Sequence, residues 1–411
     1  MYSIHNQKHR SRHVPRFSWR LVAVVILVLA IIAVVIISRQ PHQVTSKPPS
    51  AGAVTSPVKS SSTQTNPPVV VPDKAYGIAA GSGLPGLSDT ALDKRLLGIS
   101  ELGATWVRLD FDWSNIQASG ASNYSWASYD KIVTAANKYH LKVLGIITYT
   151  PAWARASECR DDMKCHPAHA DQFAKFAGTV AHRYQSQGLH AWEIWNEPNS
   201  KDFWKPKANP SDYAELLKQS YQAIKQQDVA AVVITAGLSP QATNDVSYAP
   251  IDFFAALYKA GAKPYFDAAA DHPYTFPLSP TSTRDHAWNQ MATDSDGIRQ
   301  TMVHNGDSAK KVWITEFGAP TGGPGPISTL SNPNLDAGPY VVDEPLQARI
   351  LSDAFTLYRS YDWVGPFFVY SYQDAGTDQS TNENFFGLVR ADGTHKPAYD
   401  VFKQVATTPQ P

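Results

Sequence analysis

The sequence predicts an α/β protein built as a single closed (β/α)8 barrel, and three observations predict it. From Tyr76 onward, short runs rich in β-branched and aromatic residues alternate with longer segments whose apolar residues recur at helical spacing. The alternation passes through eight units, which implies a parallel sheet; at somewhat more than the ~250 residues usual for the fold, the units fit a closed barrel with enlarged loops. An open, doubly wound sheet would announce itself with a glycine-rich first turn. Gly77, Gly81, Gly83 and Gly86 lack the GxGxxG spacing, so no nucleotide site is indicated.

The eight strands are expected at Tyr76–Ala80, Trp106–Phe111, Leu141–Thr148, Ala191–Trp195, Ala231–Ala236, Phe266–Asp271, Val312–Glu316 and Phe367–Tyr370. Helical periodicity marks Asp89–Leu102, Ser128–Tyr139, Asp171–Gln185, Ser211–Gln227 and Leu346–Tyr361 between them. A chain of 411 residues with 43% hydrophobic content buries a substantial core, and 36 basic residues balance 36 acidic ones, so no overall field favours nucleic acid. Eleven Trp and 19 Tyr suit stacking on sugar rings, and equally suit a large aromatic core.

The region before the barrel reads differently. Residues 1–20 contain Lys8, Arg10, Arg12, Arg16 and Arg20 and no acid, which predicts a cytoplasmic segment. Leu21–Ile37 is an unbroken apolar run, so 21–38 is expected to be an uncleaved transmembrane signal-anchor helix: the run is longer than a signal-peptide core, and no cleavage site follows closely. Positions 39–73, rich in Pro, Ser and Thr, read as a linker that cannot bury enough apolar surface to order itself. The expected arrangement is a single-pass plasma-membrane protein, monomeric, with the domain at 74–411 outside the cell.

In such barrels chemistry sits where the strands end at the C-terminal face. The polar residues expected there are Arg108, Asp110, Tyr149, Asn196, Glu197, His272, Tyr274, Glu316, Tyr370 and Tyr372. Strand alternation puts 193, 195 and 197 on one face, with Glu193 deeper in the barrel as a buried structural carboxylate. Asp110 and Asp112 are alternatives between substrate contacts and loop caps, the leaning being to a contact for Asp112 beside Trp113. Trp153 is a candidate floor for a further subsite and Trp204 a candidate extension of the same cleft; either could instead pack loops. Cys159 and Cys165, the only cysteines, are expected to form a disulfide on the exported side; a metal group with His166 and His169 lacks the usual zinc spacings.

The segments Trp192-Glu193-Ile194-Trp195-Asn196-Glu197-Pro198-Asn199 and Val312-Trp313-Ile314-Thr315-Glu316-Phe317-Gly318 close strands four and seven. Together they resemble the clan of (β/α)8 retaining glycoside hydrolases, most closely families 5 and 39, and the resemblance runs from Tyr76 to about Val405. It implies Glu197 as acid/base and Glu316 as nucleophile, with no metal and no cofactor. It further implies that Arg108 hydrogen-bonds Glu316, although Arg108 could instead neutralise Glu193. His272 and Tyr274 match the strand-six pair, with Tyr274 orienting Glu316, and His272 has the alternative of a satisfied barrel histidine. Asn196 would donate to a sugar 2-hydroxyl. Tyr370 stands where the clan often has a Trp platform, with Tyr372 as its competitor. The expected activity is endo-hydrolysis of a β-linked polysaccharide or oligosaccharide. Exo-cleavage as a β-xylosidase or β-glucosidase, transglycosylation, and a non-catalytic carbohydrate-binding role are the alternatives.

Overall fold

The computed structural model describes residues 69–408 apart from 333–334, 336–337 and 339. The predicted cytoplasmic segment, the anchor and most of the linker lie outside the described residues. Among the described residues no helix is long and apolar enough to cross a membrane.

Eight parallel strands form the barrel: β1 (Tyr76–Ala79), β2 (Trp106–Asp112), β3 (Lys142–Thr148), β4 (Ala191–Ile194), β5 (Val232–Ile234), β6 (Ala269–Asp271), β7 (Val312–Phe317) and β8 (Val364–Val369). Their order is β5-β4-β3-β2-β1-β8-β7-β6. The two ends of that row meet through a bridge between Ile234 and Ala268, where Thr235 N–H donates to Ala268 O (3.2 Å) and Asp267 N–H to Val233 O (2.7 Å). The expected sixth strand was longer, beginning at Phe266. Regular pairing is confined to Ala269–Asp271 because the Phe266 ring packs on Phe254 and Tyr258, and Asp267 directs its carboxylate to Val233 N–H (2.8 Å) and Lys225 (2.8 Å).

The helices between strands are α1 (Asp89–Glu101), α2 (Trp113–Ile116), α3 (Ala127–Lys138), α4 (Ala170–Tyr184), α5 (Pro210–Gln227), α6 (Pro250–Lys259), α7 (Ala287–Ala292), α8 (Ile298–His304), α9 (Glu344–Ser360) and α10 (Pro397–Thr407). Capping residues set several of their starts: Ser88, Asn209 and Asp343 accept from the first-turn N–H groups of α1, α5 and α9. Each such cap contributes about 1 kcal/mol. The amphipathic helices bury their apolar faces against the outside of the sheet.

A separate apolar cluster fills the inside of the barrel. Trp106 meets Trp313 edge-on (5.7 Å between ring centroids) and Phe368 (6.3 Å), among Ala79, Leu144, Ala191 and Ala270. Three rings fit only because β1 offers no side chain there: a Cβ at Gly77 would lie 2.6 Å from Phe368 and 2.9 Å from Trp106. This plug near the starts of β2 and β7 leaves the opposite mouth to polar side chains.

Candidate active site

Arg108, nearly completely buried on β2, is the centre of the mouth. Its Nε donates to Glu193 Oε2 (2.6 Å) and its Nη2 to Glu193 Oε1 (3.1 Å) and Asn196 Oδ1 (2.9 Å), while Nη1 donates to Glu316 Oε1 (2.7 Å). The two readings of Arg108 therefore both hold: one guanidinium pairs the deep carboxylate and the rim carboxylate at once. Burial opposes its charge, but the two glutamates outweigh that and bind its proton more firmly than water would. Truncating Arg108 would strand buried charges, a loss on the order of 3–5 kcal/mol.

Glu316 also accepts from Tyr274 Oη (2.9 Å), and His272 Nδ1 lies 3.7 Å from its Oε2. Burial alone would raise its pKa. The charges of His272 and Arg108, with the Tyr274 hydrogen bond, outweigh burial and hold the carboxyl below its ordinary range. Glu197 instead meets His272 Nδ1 at 2.9 Å. The fully buried His272 ring has its Nε2 3.0 Å from Thr315 Oγ1; burial works against its charge, but Glu316 and Glu197 raise its proton affinity above the usual value. One carboxylate oxygen of Glu197, one of Glu316 and a ring nitrogen of His272 all lie within 4.8 Å of one another.

Local irregularities aim these side chains. β7 pairs with β8 at Val312–Val364, Ile314–Phe367 and Val369–Phe317, so β7 carries an extra residue in its last step. That bulge lets Thr315 and Glu316 both serve the mouth instead of alternating. On the β4 side, Trp195 and Glu197 have φ of 70° and 47°, and Tyr149 after β3 has 62°. Non-glycine residues held there store on the order of 1–3 kcal/mol each. The left-handed turn at Trp195 corrects the expectation that 193, 195 and 197 share a face: Trp195 points to the helical layer, packing on Tyr149, Phe173 and Trp204. Glu193 does point inward and is completely buried.

These residues open into a cavity of about 630 Å³ lined by Asp110, Tyr149, Asn196, Glu197, Phe203, Tyr274, Phe276, Glu316, Tyr340, Tyr370, Glu383 and Phe386, with Gly81, Ser82 and Ser239–Gln241 completing it. Tyr370 is thus on the wall, its hydroxyl 3.4 Å from Glu383, whereas Tyr372 turns away to pack against Gly98 and Arg95. The structure separates the two aspartates and corrects the leaning toward a contact for Asp112. Asp112 caps α2, accepting from Ser114 N–H (2.8 Å) and Asn115 (2.7 Å), while Asp110 faces the cavity, where burial pushes its carboxyl up to about 7 against the pull of Arg108. Trp204 is buried against His166, Trp195 and Tyr213, so it packs loops. Trp153 is 37% exposed, holds Gln117 O through its indole N–H (2.8 Å), and lies outside the cavity lining. Cys159 and Cys165 are bonded, Cα to Cα 5.4 Å, in the loop after β3.

Glu383 and Gly237 carry no motif, so the sequence does not point to them, and Thr315 lies within the strand-seven motif without a role expected of it. Glu383 sits in a short 3-10 helix (Asn382–Phe385) after β8, and only folding brings it to the cleft. Gly237 is needed for close approach: its N–H donates to Glu193 (2.9 Å), and a Cβ would lie 2.1 Å from His272 and 2.6 Å from Thr315.

Asp271, 1% exposed, has Oδ1 without a hydrogen-bond partner, and burial pushes its carboxyl up to about 8 despite the opposing His272 charge. The unfolded chain releases that proton near pH ~4. Between there and about 8 the folded state retains a proton the unfolded chain has lost, so stability falls as pH rises through this window and levels off above it. Asp271→Asn is expected to flatten that slope, a difference read by thermal melts across the window and absent near its acidic end.

Comparison with known proteins agrees with this geometry. Residues 88–332, more than half of the chain, match the family model "Cellulase (glycosyl hydrolase family 5)". A β-xylosidase from Geobacillus stearothermophilus is 24% identical over 235 residues, covering 54% of this chain; the chain spans only 42% of that enzyme's length. Among solved structures, a family 39 glycoside hydrolase from Bacteroides cellulosilyticus WH2 superposes with a TM-score of 0.61 at 21% identity, over 84% of this chain and 66% of its own. A single-substitution variant of GH5_18 from Streptomyces cattleya, in complex with Manβ1-4GlcNAc, reaches 0.61 at 15% identity, over 82% of this chain and 83% of its own. The structural likenesses speak for the barrel, and the family match for ancestry: the chain belongs to glycosyl hydrolase family 5.

Proposed function

We propose that this protein is a retaining β-glycosidase in which Glu316 is the nucleophile and Glu197 the acid/base. The observation that carries the proposal is the placement of carboxylate oxygens of the two glutamates within 4.8 Å of each other. Retention uses carboxyl groups about 5–5.5 Å apart, whereas inversion needs roughly 6.5–9.5 Å to admit a water. The asymmetry of their partners supports the division of roles. Glu316, held ionised by Arg108, Tyr274 and His272, attacks the anomeric carbon as Glu197 protonates the departing oxygen. Glu197 then takes a proton from water, whose oxygen displaces Glu316 from the glycosyl ester. Asn196, oriented through its Oδ1 by Arg108, keeps its amide N–H groups for the sugar. Proton NMR of the first product tests the reading: the anomeric configuration of the substrate bond is expected, and initial inversion would refute it.

Endo-action on a β-linked glycan goes with this reading, supported by a wall whose aromatic rings Tyr149, Phe203, Tyr274, Phe276, Tyr340, Tyr370 and Phe386 exceed what one sugar covers. The likeness to a β-xylosidase favours exo-cleavage as the second reading. Product lengths from a long β-glycan separate them: oligosaccharides for the first, monosaccharide alone for the second. The basic segment followed by Leu21–Ile37 supports a domain tethered outside the plasma membrane. Full-length protein is expected in the membrane fraction after alkaline extraction, and release into the wash would count against the tether.

A further inference from the structure

Behind the two glutamates proposed as catalytic lies a buried hydrogen-bond chain that the bond-breaking steps do not use. Glu193, Thr315 and His272 are all completely buried. Glu193 takes both Arg108 contacts and the Gly237 N–H, and as a carboxylate paired two-pronged with a guanidinium it serves only as an acceptor. Thr315 Oγ1, 3.3 Å from Glu193 Oε1, must therefore give that oxygen its one proton. Its lone pairs are left for His272 Nε2 at 3.0 Å, so Nε2 carries a hydrogen. The other nitrogen, Nδ1, faces Glu197 Oε1 at 2.9 Å and Glu316 Oε2 at 3.7 Å.

We propose that Glu193 and Thr315 are positioning residues that hold His272 as an imidazolium, donating from both ring nitrogens. With Nδ1–H on Oε1, the exchangeable proton of Glu197 is confined to Oε2, which takes no protein hydrogen bond among the described residues. The same positive ring faces Glu316. The charged and titratable groups around the ring are Glu197, Glu316, Arg108, Tyr274 and the neighbouring Asp271; burial and Arg108 oppose the cation, and the charges of Glu316 and Glu197 with the Glu197 hydrogen bond outweigh them. The inference rests on the proposed roles of Glu197 and Glu316 for its catalytic meaning, while its physical content is the protonation of one histidine.

The test is nitrogen-15 NMR of histidine-labelled protein titrated from about pH 5 to about pH 9, with the His272 signal assigned by its loss in His272→Gln. Wild type is expected to keep both ring nitrogens protonated past the ordinary histidine midpoint of ~6.5. Thr315→Val, close in shape, is expected to lower the midpoint by about one pH unit, a tenfold loss of proton affinity. Thr315→Ser restores it. In activity, the alkaline limb of kcat/KM, where the imidazolium beside Glu197 and Glu316 loses its proton, moves down in Thr315→Val and returns in Thr315→Ser, a pattern that loss of packing alone would not produce. Glu193→Gln, whose amide can donate to Thr315 and reverse the hydroxyl, is expected to match the valine variant. A wild-type ring that is neutral at pH ~7, or a midpoint indifferent to Thr315→Val, overturns the proposal. Because the titration needs no turnover, a protein inert toward every glycoside would count against the glycosidase reading while leaving the histidine result standing.

Discussion

Glu316→Gln is expected to reduce kcat by about 10⁴–10⁶-fold, the scale of loss when the group that forms the covalent intermediate is removed. Glutamine fits the same space and still meets Arg108 and Tyr274, but its amide cannot form the glycosyl ester. Binding should survive, since the lost interaction belongs mainly to the transition state. Rapid-quench and steady-state rates on an aryl β-glycoside, with sugar binding followed calorimetrically, check both halves. Turnover within tenfold of wild type would remove Glu316 from the nucleophile's role. Retained binding with lost turnover separates an enzyme from a carbohydrate-binding protein that merely resembles one.

Glu197→Ala should behave differently, and the difference identifies the acid/base. Substrates with poor leaving groups need the proton, so kcat/KM is expected to fall by about 10²–10⁴-fold. A dinitrophenyl glycoside departs unaided, so its first step should be nearly unaffected while release of the sugar from Glu316 slows. Burst kinetics would then show rapid dinitrophenolate release followed by a slow steady state. Azide, a nucleophile that needs no base, is expected to restore turnover and yield a glycosyl azide of retained configuration. Equal losses on good and poor leaving groups would assign Glu197 to substrate binding instead.

The acidic side of the pH profile follows from Glu316. Its pKa is held below the ordinary carboxylate range, chiefly against burial by His272 and Arg108. Activity that requires the ionised form persists below the usual carboxylate midpoint of ~4.3 and is lost as pH falls through the lowered value. The position of that limb in kcat/KM also reports on the charge of His272.

Much of the fold and of the paired carboxylates is legible along the chain because both depend on local periodicity. Runs of two-residue and 3.6-residue spacing place the strands and helices within a residue or two in most cases, and a barrel brings strand ends to one mouth whatever their separation. Arg108, Glu197, His272, Tyr274 and Glu316 are placed at strand ends this way, and the resemblance to retaining glycoside hydrolases is what singles out the two glutamates among them. The failures arise where periodicity breaks: at Trp195, whose left-handed backbone turns it out of the barrel, and at strand six, where Phe266 belongs to the helical layer. Asp110 and Asp112 differ by one hydrogen-bonded turn, and only the start of α2 decides which is a cap.

By itself the sequence determined the (β/α)8 architecture and the two glutamates facing one another across it, because hydrophobic period and strand-end position are properties of the chain taken in order. Tertiary structure alone decided that Arg108 bridges both buried glutamates, that Glu383 joins the cleft, that Tyr370 and not Tyr372 lines it, and that Thr315 connects Glu193 to His272. Those are contacts between residues remote in sequence, set by the β7 bulge and by the space left at Gly237, and no pattern within a single element encodes them.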